Sequence, residues 1–314
     1  MTELDVRLLV RWLADQDGQA HLAVACAEHA DVASWQQAPV TELDDGPVYV
    51  FDRCLAAVPV AVLLEVAAPA RDVTALLDGC DDRDGATSVV AEARRLLSAA
   101  GHVDALRALT APPSPPRRTF RTRRRRPVLT ATTVPVARRR LFGLAADDPL
   151  DPPSPNPRRR TVEALRRLRP DAAATQSLQA VGSGAPRLKA SGCAGEAVCV
   201  RACPEQALAL ATAARSSARE QFVLSVDPAV CTACGVCVDV CPEGALRLDG
   251  EYGWGDLLAN DTLPLAAGSL QRCTRCRAPH AGTGSLCELC AARRANPFAS
   301  RLPPGRRGAA AGRG

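Results

Sequence analysis

The run Cys231-Thr232-Ala233-Cys234-Gly235-Val236-Cys237-Val238-Asp239-Val240-Cys241-Pro242 decides how this chain is read. Its spacing is C-x2-C-x2-C-x3-C-P. A loop of that spacing wraps three thiolates around one iron–sulfur cube and sends the fourth to a neighbouring cube. The loop has to fold back on itself within a few residues, and the residues between its cysteines, Thr232, Ala233, Gly235 and Val236, are correspondingly small. Pro242 is expected to open a helix, where its missing N–H costs little. Four cysteines this close also admit a structural zinc, although zinc sites ordinarily place two pairs on separate knuckles.

The same frame occurs upstream. Cys193, Cys199 and Cys203 with Pro204 fit it, but Glu196 stands where the second cysteine falls. The following text repeats too: Cys-Pro-Glu-Gln-Ala-Leu at 203–208 and Cys-Pro-Glu-Gly-Ala-Leu at 241–246. Two copies of one unit are an internal repeat. Over roughly 186–250 the chain resembles the bacterial-type two-cluster ferredoxins. That resemblance implies a ligand crossover, the fourth cysteine of each loop serving the other cluster. A [4Fe-4S] cluster would then use Cys231, Cys234, Cys237 and Cys203. The second would use Cys193, Cys199 and Cys241, with Glu196 in place of the missing thiolate. Three outcomes stay open for it: a [3Fe-4S] cluster needing three thiolates, a [4Fe-4S] cube whose last iron takes the Glu196 carboxylate or water, or an empty, degenerate site. An oxygen ligand, being harder, holds that iron less firmly than a thiolate.

A third constellation lies downstream. Cys273-x2-Cys276 and Cys287-x2-Cys290 are two knuckles separated by Arg277 to Leu286. Two such pairs make a closed tetrahedral Zn2+ site, and Pro279, Gly282 and Gly284 suit the turn between them. A rubredoxin-like iron site is the alternative. His280 is expected to be a solvated loop residue, because four thiolates already close the site.

Fourteen cysteines in 314 residues could signal a secreted disulfide scaffold. Eleven of them, however, fall into the three metal patterns. The opening Met1-Thr2-Glu3-Leu4-Asp5 is acidic and lacks the apolar core of a signal peptide. The longest apolar stretch, Ala56 to Ala70, is fifteen residues, contains Glu65 and is too short to span a bilayer. The expected setting is a reducing cytoplasm.

The net charge of +5 hides an asymmetry. Residues 1–112 hold eighteen acids and eight bases, whereas 113–190 hold eighteen bases and five acids. Runs such as Arg123 to Arg126, Arg138 to Arg140 and Arg158 to Arg160 sit among many prolines. High charge, abundant proline and little apolar content predict a largely disordered linker over 113–185. Lys189 is the only lysine, so part of this arginine reflects a compositional bias. The arginines could also dock an acidic partner or this chain's own acidic N-terminal domain, or bind nucleic acid in a salt-sensitive, sequence-indifferent way. Only Phe120 and Phe142 are available there for base stacking.

Residues 1–112 read as globular. His21 to Cys26, Val48 to Phe51 and Val73 to Leu77 are predicted strands; Val58 to Ala68 and Thr87 to Ala100 are predicted helices. Val6 to Trp12 fits a helix or a strand. The alternation implies a small parallel α/β domain. Cys26, Cys54 and Cys80 each fall near a strand end, where open α/β sheets collect functional groups. The layout resembles the small iron–sulfur subunit of some hydrogenases and heterodisulfide reductases, which holds a further cluster after comparable strands, but its paired cysteines are not matched here. The three thiols are either structural, as small apolar residues, or a cluster or redox thiol site. No glycine-rich phosphate loop is present.

The fold expected is an α+β multidomain chain: a parallel α/β domain at 1–112, the linker at 113–185, a ferredoxin-like dicluster domain at 186–250, a zinc ribbon at 268–295 and a flexible tail at 296–314. The expected function is single-electron transfer to and from redox partner proteins within a larger complex. Two alternatives accompany it: a redox-sensing regulator that binds nucleic acid, and an enzyme using Cys26, Cys54 and Cys80 with electrons from the clusters.

Overall fold

The computed structural model describes residues 6–16, 18–27, 46–110, 127–135, 154–214 and 219–297. The chain forms two compact units, Met1–Gly182 and Ser183–Gly314.

The first unit is built on a five-stranded parallel sheet. Its strands are β1 (His21–Cys26), β2 (Val48–Phe51), β3 (Asp72–Leu76), β4 (Leu106–Leu109) and β5 (Val128–Leu129), in the order β4-β3-β1-β2-β5. Strand β1 runs beside β2 on one side and β3 on the other, so the chain reverses its direction of winding at β1. All of β1 after His21 and all of β3 after Asp72 are buried. That burial explains why neither shows apolar–polar alternation, Thr74 being the one polar residue in the two buried runs, since parallel sheets are covered on both faces.

Helix α1 (Arg7–Ala14) settles the undecided opening segment: Leu9, Val10 and Leu13 face inward at helical spacing. Helix α2 (Val60–Ala67) is buried from Ala61 to Ala67. Helix α3 (Arg83–Ala99) starts at Asp82, whose carboxylate accepts from the Gly85 N–H at 2.9 Å.

The expected linker departs most from the structure. Residues 157–168 form helix α4 (Pro157–Leu168) and residues 172–179 form helix α5 (Ala172–Gln179). Asn156 caps α4 by accepting from the N–H groups of Arg158 and Arg159, with Pro157 in the first turn. Asp171 caps α5 through the Ala174 N–H at 2.8 Å. Val162, Leu165 and Leu168 form an apolar stripe on α4, which packs on α2. The decisive contact is ionic: Arg160 Nε and Nη2 donate to Glu65 Oε1 and Oε2 at 2.9 and 2.6 Å. Both side chains are buried, 4% and 7% exposed. A carboxylate inside an apolar helix needs such a partner, and it comes from an arginine run that composition alone assigns to solvent. Val128 and Leu129 add the edge strand β5, pairing with Val48 and Tyr49. The runs at 123–126 and 138–140 lie outside the described residues.

The second unit opens with β6 (Pro186–Ala190), which pairs antiparallel with β9 (Leu246–Glu251) and so brings together the two ends of the internal repeat. Between them lie the short helices α6 (Val198–Ala202) and α7 (Val236–Asp239) and the antiparallel strands β7 (Leu208–Ala214) and β8 (Arg219–Val226). After α8 (Trp254–Ala259), the ten-residue β10 (Leu263–Arg272) pairs with β8 along Val226 to Arg219, then with β11 (Pro279–His280). The C-terminal knuckles therefore grow from a strand that belongs to the repeat's own sheet, rather than from a separate module beginning at 268. Helix α9 (Glu288–Ala295) follows; residues 298–314 of the expected tail lie outside the described residues.

Two local expectations are also corrected. Pro242, like its counterpart Pro204, follows a short helix, and it opens a turn instead of the expected helix. His280 lies on β11 with Nε2 buried and without a hydrogen-bond partner, so it is not a solvated loop residue.

Candidate metal centres

The two ferredoxin-type loops share one backbone solution. Gly195 and Ala233, at equivalent places, have φ of 71° and 59°. Ala197 and Gly235, also equivalent, have φ of 58° and 79° and cap the helices that carry Cys199 and Cys237. Left-handed backbone at two fixed points is what turns the loop tightly enough to aim several sulfurs inward. Alanine accepts it at a cost of roughly 1–2 kcal/mol. The third equivalent pair, Gln206 and Gly244, is left-handed as well, with φ of 53° and 57°. That turn lets the Ala207 and Ala245 N–H groups donate to Cys203 Sγ and Cys241 Sγ, each at 3.3 Å. Hydrogen bonds to ligand sulfur are one of the means by which a protein sets a cluster's potential.

The thiols gather into two groups, each lining its own cavity. Cys231, Cys234 and Cys237 of the second loop line one with Cys203 of the first, closed by Leu188, Ala207, Leu208 and Leu248. Cys193, Glu196 and Cys199 of the first loop line the other with Cys241 and Pro242 of the second. Cys199, Cys231 and Cys237 are buried; Cys234 and Glu196, at the same place in each loop, are exposed. Burial raises the Cys237 thiol to about 11, helped by Cys231 and Cys203. Burial likewise raises Cys199, with Cys193 and Cys241 adding to the shift. Thiols crowded together in an apolar cavity need positive charge in order to ionise. An iron–sulfur core offers that charge, so the donor set fits the group.

The four C-terminal cysteines are gathered more tightly. The sulfurs of Cys273, Cys276, Cys287 and Cys290 all lie within 4.8 Å of one another, with Cys276 and Cys287 at 3.7 Å. The Cys273 N–H donates to Ala278 O at 2.9 Å and the Arg277 N–H to Cys273 O at 2.9 Å, closing the first knuckle, with Arg277 left-handed at φ 64°. The Cys273 thiol is lowered to about 5, chiefly by backbone N–H groups of Cys276 and Cys287. Burial instead pushes Cys290 up to about 12. A buried thiolate with backbone donors aimed at it fits a resident cation. His280 is not one of the four.

Cys26, Cys54 and Cys80 also meet, their sulfurs within 4.8 Å of one another. The sequence places each near a strand end but contains nothing that says they converge; the strand order β3-β1-β2 supplies that.

A family model described as the 4Fe-4S dicluster domain matches residues 191–245. No curated protein matches the chain. The match supports a ferredoxin-type iron–sulfur domain and an iron–sulfur electron-transfer role, and it does not favour the regulator reading. No helix among the described residues is long and apolar enough to cross a membrane.

Proposed function

We propose that the chain is a cytoplasmic, bacterial-type two-cluster electron carrier that serves a larger redox assembly. Cys231, Cys234, Cys237 and Cys203 hold a [4Fe-4S] cluster. Cys193, Cys199 and Cys241, with Glu196 at the outer position, hold a [3Fe-4S] or [4Fe-4S] cluster. Bound clusters supply one-electron storage; the protein's residues supply everything that tunes it. The observation that carries the reading is the pairing of each cavity with three ligand positions from one loop and a cysteine from the other.

Each residue's part follows from its surroundings. Leu188, Ala207, Leu208 and Leu248 keep water from the first group of thiols, which strengthens electrostatic effects there. The N–H groups of Ala207 and Ala245 stabilise the crossed thiolates Cys203 and Cys241. Cys234, the exposed ligand, gives the first cluster its nearest approach to solvent and to donor or acceptor proteins. Cys273, Cys276, Cys287 and Cys290 hold Zn2+ in a closed structural site that fixes the far end of β10.

The test is anaerobic purification with iron, sulfide and zinc quantified beside EPR of as-isolated and reduced protein. About seven or eight irons, about one ribbon zinc, and either a three-iron signal or two interacting reduced cubes are expected. About four irons would leave the second site empty and overturn the two-cluster relay.

A further inference from the structure

The carboxyl edge of the parallel sheet carries three thiols that the electron-carrier reading does not use. Cys26 is the last residue of β1, Cys54 lies in the loop after β2, and Cys80 lies in the loop after β3. The three strands are adjacent, with β1 in the middle. It is at β1 that the winding reverses, and open α/β sheets bind ligands outside such a switch point. Residues far apart in sequence are thus delivered to one spot by topology.

Their sulfurs are close enough to share one ion. Metal–sulfur bonds of about 2.3 Å in tetrahedral geometry put sulfurs about 3.8 Å apart. The ribbon pair Cys276 and Cys287 stands at 3.7 Å. Cys54 and Cys80 stand at 3.3 Å, and all three sulfurs lie within 4.8 Å of one another. Thiolates on different irons of a cluster diverge and stand farther apart than that. Cys26 and Cys80 are buried while Cys54 is half-buried, so the site opens past Cys54. Among the described residues the group has three members and no fourth.

We infer that Cys26, Cys54 and Cys80 form a mononuclear metal site for one thiophilic divalent ion of the zinc class, bound by their three thiolates. Each thiol gives its proton to solvent as its metal–sulfur bond forms, and no electron moves.

The test compares the full-length chain with its Cys54→Ala variant, both purified anaerobically with zinc supplied, by metal and sulfide quantification per chain. The expected result is loss of about one zinc equivalent in the variant, with iron, sulfide and the cluster EPR signals unchanged. Unchanged zinc in a folded variant would overturn the site. Iron and sulfide lost with Cys54 would replace the single ion by a cluster. Should the variant not fold, differential alkylation of the wild-type chain serves instead. Cys54 and Cys80 should resist iodoacetamide until a zinc chelator is added; equal labelling before and after, or a Cys54–Cys80 disulfide found by mass spectrometry, overturns the inference. The ferredoxin-type signals are read in the same samples, so failure here is distinct from failure of the electron-carrier reading.

Discussion

Arg160→Ala should be among the most damaging single changes in the first unit, although the residue belongs to an arginine run. Its guanidinium makes two hydrogen bonds, 2.9 and 2.6 Å, to the one carboxylate in the otherwise apolar helix α2. Both partners are almost wholly buried, so solvent screening offers little relief. Removing one member of such a pair leaves an uncompensated charge and costs about 3–5 kcal/mol. For a unit of this size that lowers the melting temperature by roughly 6–20 °C, at about 2–4 °C per kcal/mol. The assay is hydrogen exchange on the full-length chain. Peptides covering α2 and α4 should lose protection by roughly 150- to 4000-fold, at about 1.4 kcal/mol per decade, while 186–251 keeps its own. The double variant Glu65→Leu/Arg160→Leu should recover most of the loss, because a buried pair replaced by apolar side chains is often neutral or better. A single variant within about 1 kcal/mol of wild type, or a double variant as weak as the single, would refute the argument.

Glu196→Cys should complete the second set of thiolates and convert that cluster to a stable four-iron cube; unchanged iron content and EPR would reject the ligand assignment. Cys273→Ser should release the ribbon's zinc without touching the cluster iron, and loss of iron instead would make the ribbon an iron site. Gly268→Ala should lower the urea midpoint by the equivalent of about 1–3 kcal/mol. Its new Cβ would sit 2.6 Å from Cε1 of Phe222, a buried ring directly across the strand pair; a midpoint equal to wild type would show that the ring shifts freely. Ala233→Gly should be tolerated with cluster content intact, since φ is already 59° there. Gly195→Ala, at the equivalent place, should reduce iron occupancy, because its Cβ meets the Phe222 ring at 3.0 Å.

The strands and helices of the first hundred residues were legible because burial writes itself directly into sequence: β1 after His21 is apolar, β3 after Asp72 is apolar but for Thr74, and α3 shows one apolar face. Composition misleads over 113–185 because that stretch holds two kinds of segment. Asn156-Pro157 and Asp171 are both helix-start signals, and Val162, Leu165 and Leu168 keep helical spacing. Twelve residues with four such cues outweigh their arginines. That Arg160 is buried could not be read locally, since its reason is Glu65, ninety-five residues earlier. Convergence of Cys26, Cys54 and Cys80 was hidden for the same reason: adjacency in a parallel sheet follows from winding order, not from spacing. The opposite holds for Cys273 to Cys290, where both knuckles are local and spacing alone implied the grouping.

The two cysteine loops also show why the sequence could vary at 196 without losing the loop. Left-handed torsions recur at three equivalent pairs, and both N–H···S contacts recur at the same length. The backbone is therefore the same in both loops while the residue at one place differs. That place is the outward one in the loop: Glu196 is exposed, as is Cys234 in the other copy. A carboxylate there keeps contact with water and avoids the desolvation cost it would meet at the buried places of Cys199 or Cys237. A glutamate at either of those inner positions would have to be neutralised or would open the cavity. Any difference in behaviour between the two sites is thus expected to trace to the ligand at the outer position, with the backbone around each held the same.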